Sequence, residues 1–386
     1  MAHGVAAPPT TSFDMTIVYF IAGLALLVAG AELLVRGASK LALAFGMSPL
    51  VIGLTVVAFG TSAPEIAISV GAALEGRADV AVGNVVGSNI FNVLFILGVS
   101  ALIVPLAVAR QLIRQEVPVM LGTSLLLLVL ILDRSLDRLD GALLTLLTSA
   151  YLAFLVVQSR RGNDAGGAGS NGDPAEGLGN GADPSRAARP DSRSSRLAMQ
   201  FALVTAGLVA LVFGAQLLVD AAVTFARALG VSELVISLTI VAAGTSLPEV
   251  AASITAALRG QRDMAVGNVI GSNILNILAC LGLASLVAPA PLAIAPSVLN
   301  FDIWVMLAAA LACLPVLITG REIARWEGAI FVGYYCAYAS YLILAAQQHD
   351  ALAGYSDIML SFVIPLTIVT LVALAIRPGA ARSPRR

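Results

Sequence analysis

Charge is scarce in this chain. Of 386 residues, 12% are Asp, Glu, Lys or Arg, against roughly 25% in an average soluble domain. Lysine occurs once, as Lys40, and histidine twice, as His3 and His349, near a terminus and in a loop. The three cysteines, Cys280, Cys313 and Cys336, lack CxxC spacing and fall in apolar helix patterns. They read as small buried hydrophobes rather than as disulfides or ligands. The net charge of −1 marks no basic face for a nucleic acid. Zinc and copper sites built on thiolate and imidazole are excluded in the same way. The first apolar run has no basic region before it, so residues 17–35 read as a membrane span rather than a cleaved signal peptide. Neither an enzyme nor an organic cofactor is implied.

Apolar sequence fills the space that charge leaves. The chain is 59% hydrophobic with a mean hydropathy of +0.93. Apolar segments long enough to cross a bilayer as helices recur from end to end. The expected fold class is an all-α polytopic membrane protein. Helices are predicted at residues 15–35, 43–73, 80–104, 116–132 and 139–157. A second set is predicted at 199–219, 227–258, 264–288, 301–319 and 325–346, with an extra C-terminal helix at 356–376. Residues 158–198 are rich in Gly, Ala, Ser, Asp, Pro and Arg and read as a flexible linker. Its arginines place it in the cytoplasm by the positive-inside rule. Counting outward from it puts the N-terminus outside and, across eleven spans, the C-terminus inside.

The two sets of five are copies. Gly60-Thr61-Ser62-Ala63-Pro64-Glu65 returns 184 residues later as Gly244-Thr245-Ser246-Leu247-Pro248-Glu249. Residues 81–92 return as 265–276 and differ only at Val86/Ile270 and Phe91/Leu275. Likeness extends from Gly30-Ala31-Glu32 and Gly214-Ala215-Gln216 to Ala150-Tyr151 and Ala337-Tyr338. Five helices is an odd number, so tandem copies insert with opposite topology. Such inverted repeats are a signature of secondary transporters, with the site near the midplane between the repeats. The expected architecture is therefore two inverted five-helix repeats, 15–157 and 199–346, forming a ten-helix core.

The duplicated acid carries the chemistry. Glu65 and Glu249 lie inside apolar spans, where an unpaired carboxylate is costly, and Lys40 and the arginines lie at loops and helix ends. A bound cation or proton is the expected counter-ion; a protonated acid hydrogen-bonded between helices is the competing reading. Ser62, Glu65 and Ser69 share one helix face by their spacing, as do Asn84, Ser88 and Asn92. Ser246, Glu249 and Ser253 repeat the first face, and Asn268, Ser272 and Asn276 the second. All carry oxygen, the ligand that hard cations such as Ca²⁺ take. Pro64 and Pro248 break their helices, which predicts carbonyl ligands around Ala58 and Thr61 and around Ala242 and Thr245. Gly83, Gly87 and Gly98, with Gly267, Gly271 and Gly282, are expected to bring the Asn/Ser face close to the Glu helix. Asn89 and Asn273 lie off that face; capping or bridging the discontinuous helices and direct ligation both remain open for them.

Gly-Thr-Ser-x-Pro-Glu and Gly-Asn-x-x-Gly-Ser-Asn-x-x-Asn, each intact twice, resemble the alpha-repeats of the sodium/calcium exchanger branch of the cation/calcium antiporter superfamily. The resemblance covers nearly the whole chain outside the linker, the extreme termini and the final helix. It implies that Glu65 and Glu249 are the principal Ca²⁺ ligands. Carbonyls near Ala58, Thr61, Ala242 and Thr245 would assist, as would side chains of Thr61, Ser62, Ser88, Thr245, Ser246 and Ser272. Asn92 and Asn276 would fill the remaining corners. Some relatives carry an aspartate at one corner; two asparagines leave this site with two formal negative charges. The implied function is exchange of Ca²⁺ for Na⁺ by alternating access in a bacterial inner membrane, with the transported ions bound centrally. Ca²⁺/H⁺ exchange and a passive cation channel are the alternatives. K⁺ dependence and oligomeric state stay open.

Overall fold

Long apolar stretches punctuated by glycine turns give helices joined by tight reversals. The computed structural model of the protein describes residues 13–167, 190–318, 322–349, 351–359 and 361. The first set of helices is α1 (Phe13–Phe45), α2 (Pro49–Thr61 and Ala63–Leu74), α3 (Ala78–Ile103), α4 (Leu112–Asp133) and α5 (Arg138–Gly167). The second set is α6 (Pro190–Ala228), α7 (233–244 and Leu247–Leu258), α8 (Arg262–Val287), α9 (298–318) and α10 (Arg325–Ala346). A short α11 (Ala351–Ile358) follows. The rest of the predicted eleventh span, residue 360 and residues 362–376, lies outside the described residues, as do His3 and residues 168–189.

The reversals themselves are duplicated. Gly46 and Gly230 end α1 and α6 at φ 65° and 77°, and Gly76 and Gly260 end α2 and α7 at φ 73° and 74°. In each, the glycine and the residue after it donate back into the last turn of the helix, as Gly76 N does to Ala73 O and Arg77 N to Ala72 O. That left-handed closure needs a residue without Cβ strain. Gly46 also explains one misplaced boundary. The second span was expected from residue 43, but the chain reverses at Gly46, so residues 43–45 finish α1. The first and sixth spans were expected to stop at 35 and to start at 199. Both helices run on through polar sequence, and at the expected end of the first span Glu32 pairs with Arg36 on its own helix and with Arg259, the residue that follows α7.

Two tiny sheets show that the halves are inverted. β1 (Leu106–Ala107), after the third helix of the first half, pairs with β4 (Glu322–Ile323), after the fourth helix of the second. β2 (Ser135–Leu136), after the fourth helix, pairs with β3 (Leu292–Ala293), after the third. Loops that differ by one helix share a membrane face only when the two halves enter it in opposite senses.

Packing sorts the helices into core and periphery. In α8 89% of the most apolar window is buried and in α3 72%, against 28% in α1 and in α6. Apolar side chains at the periphery face lipid. α1 and α6 lie antiparallel against each other. Gly23 and Gly30 meet the backbone of Gly214 and Gly207, where an added Cβ would come within 2.9 Å of a carbonyl oxygen. Small residues at seven-residue spacing let two membrane helices touch by backbone.

Candidate ion-binding site

The site is built on two helix breaks. Ser48 accepts from Val51 N at 3.2 Å and starts α2, with Pro49 at the first helical position. The helix then bends by 44° at Ser62, whose ψ is 4°. Its second arm restarts with Pro64 and Glu65 in the first turn. α7 repeats this with Ser246 at ψ 9°, then Pro248 and Glu249. Each acid thus sits at the N-terminal end of a helix arm, where the peptide dipoles favour negative charge.

Within the described residues of the two repeats six helical turns widen to a π form, and they too come in pairs. Gly53–Val57 matches Ser237–Val241, Asn92–Leu97 matches Asn276–Leu281, and Leu112–Glu116 matches Val298–Asp302. Such turns mark functional sites in helices. Here two precede the breaks and two begin at Asn92 and Asn276.

The hydrogen bonds cross between the halves. Ser62 Oγ donates to Glu249 Oε1 at 3.2 Å, and Ser246 Oγ donates to Glu65 Oε1 at 2.9 Å. Both carboxylates are 1% exposed. The other oxygen of each, Oε2, has no partner, and neither have Asn92 Oδ1 and Ser272 Oγ. Ser88 Oγ lies 3.3 Å from Ser246 Oγ. Neither glutamate pairs with a Lys or Arg among the described residues; the ion pairs join Glu32 to Arg36 and Arg259, and Glu75 to Arg77. A buried acceptor left unsatisfied costs about 1–3 kcal/mol, and more if charged. Two carboxylate oxygens, an amide oxygen and a hydroxyl in that condition form a donor set suited to a hard cation. No three of His, Cys, Asp and Glu converge among the described residues, so neutral oxygens must complete any such shell.

A second layer holds the first. Asn84 Nδ2 donates to Ser69 Oγ at 3.0 Å, and Asn268 Nδ2 to Ser253 Oγ at 2.9 Å. Thr61 Oγ1 reaches Asn268 Oδ1 at 3.2 Å. Asn89 and Asn273 bridge α3 and α8 rather than the two broken helices. Each donates to the other's backbone carbonyl, at 3.2 and 3.4 Å, and clamps α3 to α8. Their own Oδ1 atoms accept from Asn276 and Asn92, at 3.1 and 3.0 Å.

The two halves differ in closure. Ala58, Thr61, Ser62, Glu65, Ser88 and Asn92 are buried, as are Ser246, Glu249, Ser272 and Asn276. Thr245 is half-buried and Ala242 is exposed. Ala58 O, expected as a freed carbonyl, accepts from Ser62 N at 3.0 Å and Thr61 Oγ1 at 3.4 Å. Gly267 and Gly271 press against Leu50, Leu54 and Ala58 of α2, as expected of a close helix contact. Gly83 and Gly87 do not; among the described residues nothing stands within 4 Å of where their Cβ would be. Gly98 and Gly282 pack outward, against Gly328 and Val332 of α10 and against Thr145 of α5. Gly60 and Gly244 face Leu208 and Val219 of α6, so they serve packing. α2's first arm is therefore packed tightly on α8 at Gly267 and Gly271, and the matching glycines of α3 have no such contact among the described residues.

Three polar contacts escaped the sequence reading. Tyr151 donates to Glu116, which is wholly buried, at 2.9 Å, and Tyr338 donates to Asp302 at 2.9 Å. The repeated Ala-Tyr pair was the available signal, but nothing tied it to an acid 35 or 36 residues earlier. Cys280 donates from Sγ to Asn276 Oδ1 at 3.5 Å, so it is more than a space-filler. Cys336, expected buried, is exposed.

The family model of the sodium/calcium exchanger protein matches the chain twice, over residues 15–159 and 199–344. The inner membrane protein YrbG of Escherichia coli is 38% identical over 236 residues, which are 61% of this chain and 69% of that one. The sodium/calcium exchanger MaX1 of Methanosarcina acetivorans is 36% identical over 309 residues, 74% of this chain and 86% of that one. A solved structure of the sodium-calcium exchanger NCX_Mj superposes with a TM-score of 0.69 at 32% identity, covering 85% of this chain and 99% of that chain.

Proposed function

The chain belongs to the sodium/calcium exchanger family of cation/calcium antiporters, and from that premise we propose that it exchanges Ca²⁺ for Na⁺ by alternating access. The observation that carries this reading is the crossed Ser–Glu pairing. It fixes one oxygen of each buried carboxylate and leaves Glu65 Oε2 and Glu249 Oε2 without partners. Ca²⁺ binds with both acids ionised, and Asn92 Oδ1 and Ser272 Oγ add neutral oxygens. Thr61, Thr245, Ala58 and Ala242 line the approach from the two arms, Asn276 stands at the second corner, and Ser62, Ser88 and Ser246 hold the carboxylates. Na⁺ ions take the same oxygens in their turn, so the two substrates exclude each other.

An empty site would leave two buried negative charges uncompensated, which disfavours crossing between states unloaded. The unequal packing around Gly271 and Gly87 supports a pocket that opens to one side at a time. In this reading residues 15–157 and 199–346 are the repeats, joined in the cytoplasm by 158–198, whose two ends continue α5 and α6 as helix. The N-terminus lies outside and the C-terminus inside a bacterial inner membrane. No covalent step is involved.

The test is Na⁺-gradient-driven ⁴⁵Ca²⁺ flux in proteoliposomes, with and without Glu65→Gln. Loss of flux in the variant is expected; full flux would overturn the ligand assignment. A second reading, Ca²⁺/H⁺ exchange, draws on the same unpartnered Oε2 atoms, which can accept protons. Flux driven by a pH gradient without Na⁺ would select it.

A further inference from the structure

The two corner asparagines occupy matching positions but unequal surroundings. The Nδ2 groups of both are committed, Asn92 to Asn273 Oδ1 at 3.0 Å and Asn276 to Asn89 Oδ1 at 3.1 Å. Those bonds fix which end of each amide is oxygen and turn both Oδ1 atoms away from the clamp. Asn92 Oδ1 is then buried without a partner. Asn276 Oδ1 instead accepts the thiol of Cys280, one turn further along α8. The residue that matches Cys280 in the first half is Ile96, which is 1% exposed and has nothing to donate. Cys280 is itself fully buried. The π turn Asn276–Leu281, which holds both Asn276 and Cys280, packs against the arm of α2 that begins with Glu65. Its counterpart Asn92–Leu97 packs against the arm of α7 that begins with Glu249.

We propose that Cys280 is a positioning residue that caps Asn276 Oδ1 and withholds it from the transported cation, so that two corners alike in sequence become one ligand and one non-ligand. The inference rests on the ion-site reading above and deepens it. Its chemistry is simple competition. An S–H donor is weak, so the cap lowers affinity modestly and can be displaced by a cation demanding more oxygens. A cation that needs fewer leaves it in place. The thiol thereby sets preference among cations by coordination number without changing the charge of the site.

The experiment is a ⁴⁵Ca²⁺ flux titration on proteoliposomes carrying the full chain. Cys280→Ile, which installs the first-half residue, frees Asn276 Oδ1. It is expected to lower the KM for Ca²⁺ by about 2- to 5-fold, as loss of a weak competing hydrogen bond allows, with kcat within about twofold. Cys280→Ser keeps a donor and keeps the KM at or above the wild-type value. Cys280→Ile combined with Asn276→Leu loses the gain. An unchanged KM in Cys280→Ile, or the same lowered KM in Cys280→Ser, would overturn the proposal. Glu65→Gln run in parallel separates the two readings: if it retains full flux the ion site fails, and if it alone behaves as expected only the cap fails. Should Cys280→Ile not fold, the S–H infrared band of the Cys313→Ala/Cys336→Ala protein decides. Asn276→Leu moves that band to the free-thiol position if the cap exists; an unmoved band refutes it.

Discussion

Substituting alanine for Gly271 and, separately, for Gly87 tests whether the pocket closes on alternate sides. The two glycines hold matching positions on α8 and α3. A Cβ at Gly271 would lie 2.8 Å from Ala58 Cβ and 2.9 Å from both Leu54 Cα and Leu54 O. None of those atoms is the end of a flexible side chain. The first arm of α2 must therefore retreat by about 0.5 Å to reach ordinary contact. Overpacking of this kind costs about 1–3 kcal/mol, or about 5- to 150-fold in the equilibrium between sealed and unsealed forms. A Cβ at Gly87 meets nothing within 4 Å among the described residues. Alanine there gains up to about 1 kcal/mol of helix propensity. Thermal unfolding in detergent is expected to show a lower Tm for Gly271→Ala and an unchanged or higher one for Gly87→Ala. Exchange flux is expected to fall in both, because the opposite state brings α7's first arm onto α3 as α2's now lies on α8. Equal Tm losses would refute the packing argument. Wild-type flux in Gly87→Ala would refute the exchange of roles.

Other outcomes follow from single contacts. Asn273→Ala removes a donor and an acceptor from the α3–α8 clamp and strands Asn92 Nδ2; a loss of about 1–3 kcal/mol in unfolding free energy is expected. In a double-mutant cycle with Asn89→Ala the losses should be non-additive. Among the described residues Tyr151→Phe leaves the buried Glu116 with only the Gln111 amide at 3.5 Å, and the same assay should show a loss of about 1–3 kcal/mol. Glu32→Gln makes α1 match Gln216 of α6 and removes a half-exposed pairing with Arg36 and Arg259; the expected change is under about 1 kcal/mol, and a larger one would make that cluster structural.

The fold was legible where the sequence repeats itself. The copied Pro-Glu segments located both breaks, and the odd helix count gave the inversion that the β1–β4 and β2–β3 pairings display. The π turns were not legible, since residues 92–97 and 276–281 carry an ordinary apolar helix pattern. Nor could unequal packing be read, because Gly83 and Gly87 have the same sequence neighbours as Gly267 and Gly271 but for Val86 against Ile270. What differs between them is which arm of which broken helix stands opposite. The Cys280 cap depends on a rotamer and an amide orientation, fixed by contacts between residues far apart in the chain.

The exchanged strands bear on how the chain is made. β1 and β2 belong to the first half, and both of their partners lie at residues 292–293 and 322–323. While the ribosome is still translating, the first five helices reach the bilayer with both strand edges unpaired and with Asn89 lacking Asn273. The glycine face of α1 likewise waits for Gly207 and Gly214. The halves cannot mature one after the other as separate domains do; they must interlock at both membrane faces at once. The covalent path through residues 168–189 then matters little to the finished assembly. Two separately expressed chains, cut in that segment, should find each other in one membrane and rebuild a working whole, whereas either chain alone should be cleared by the cell's membrane proteases.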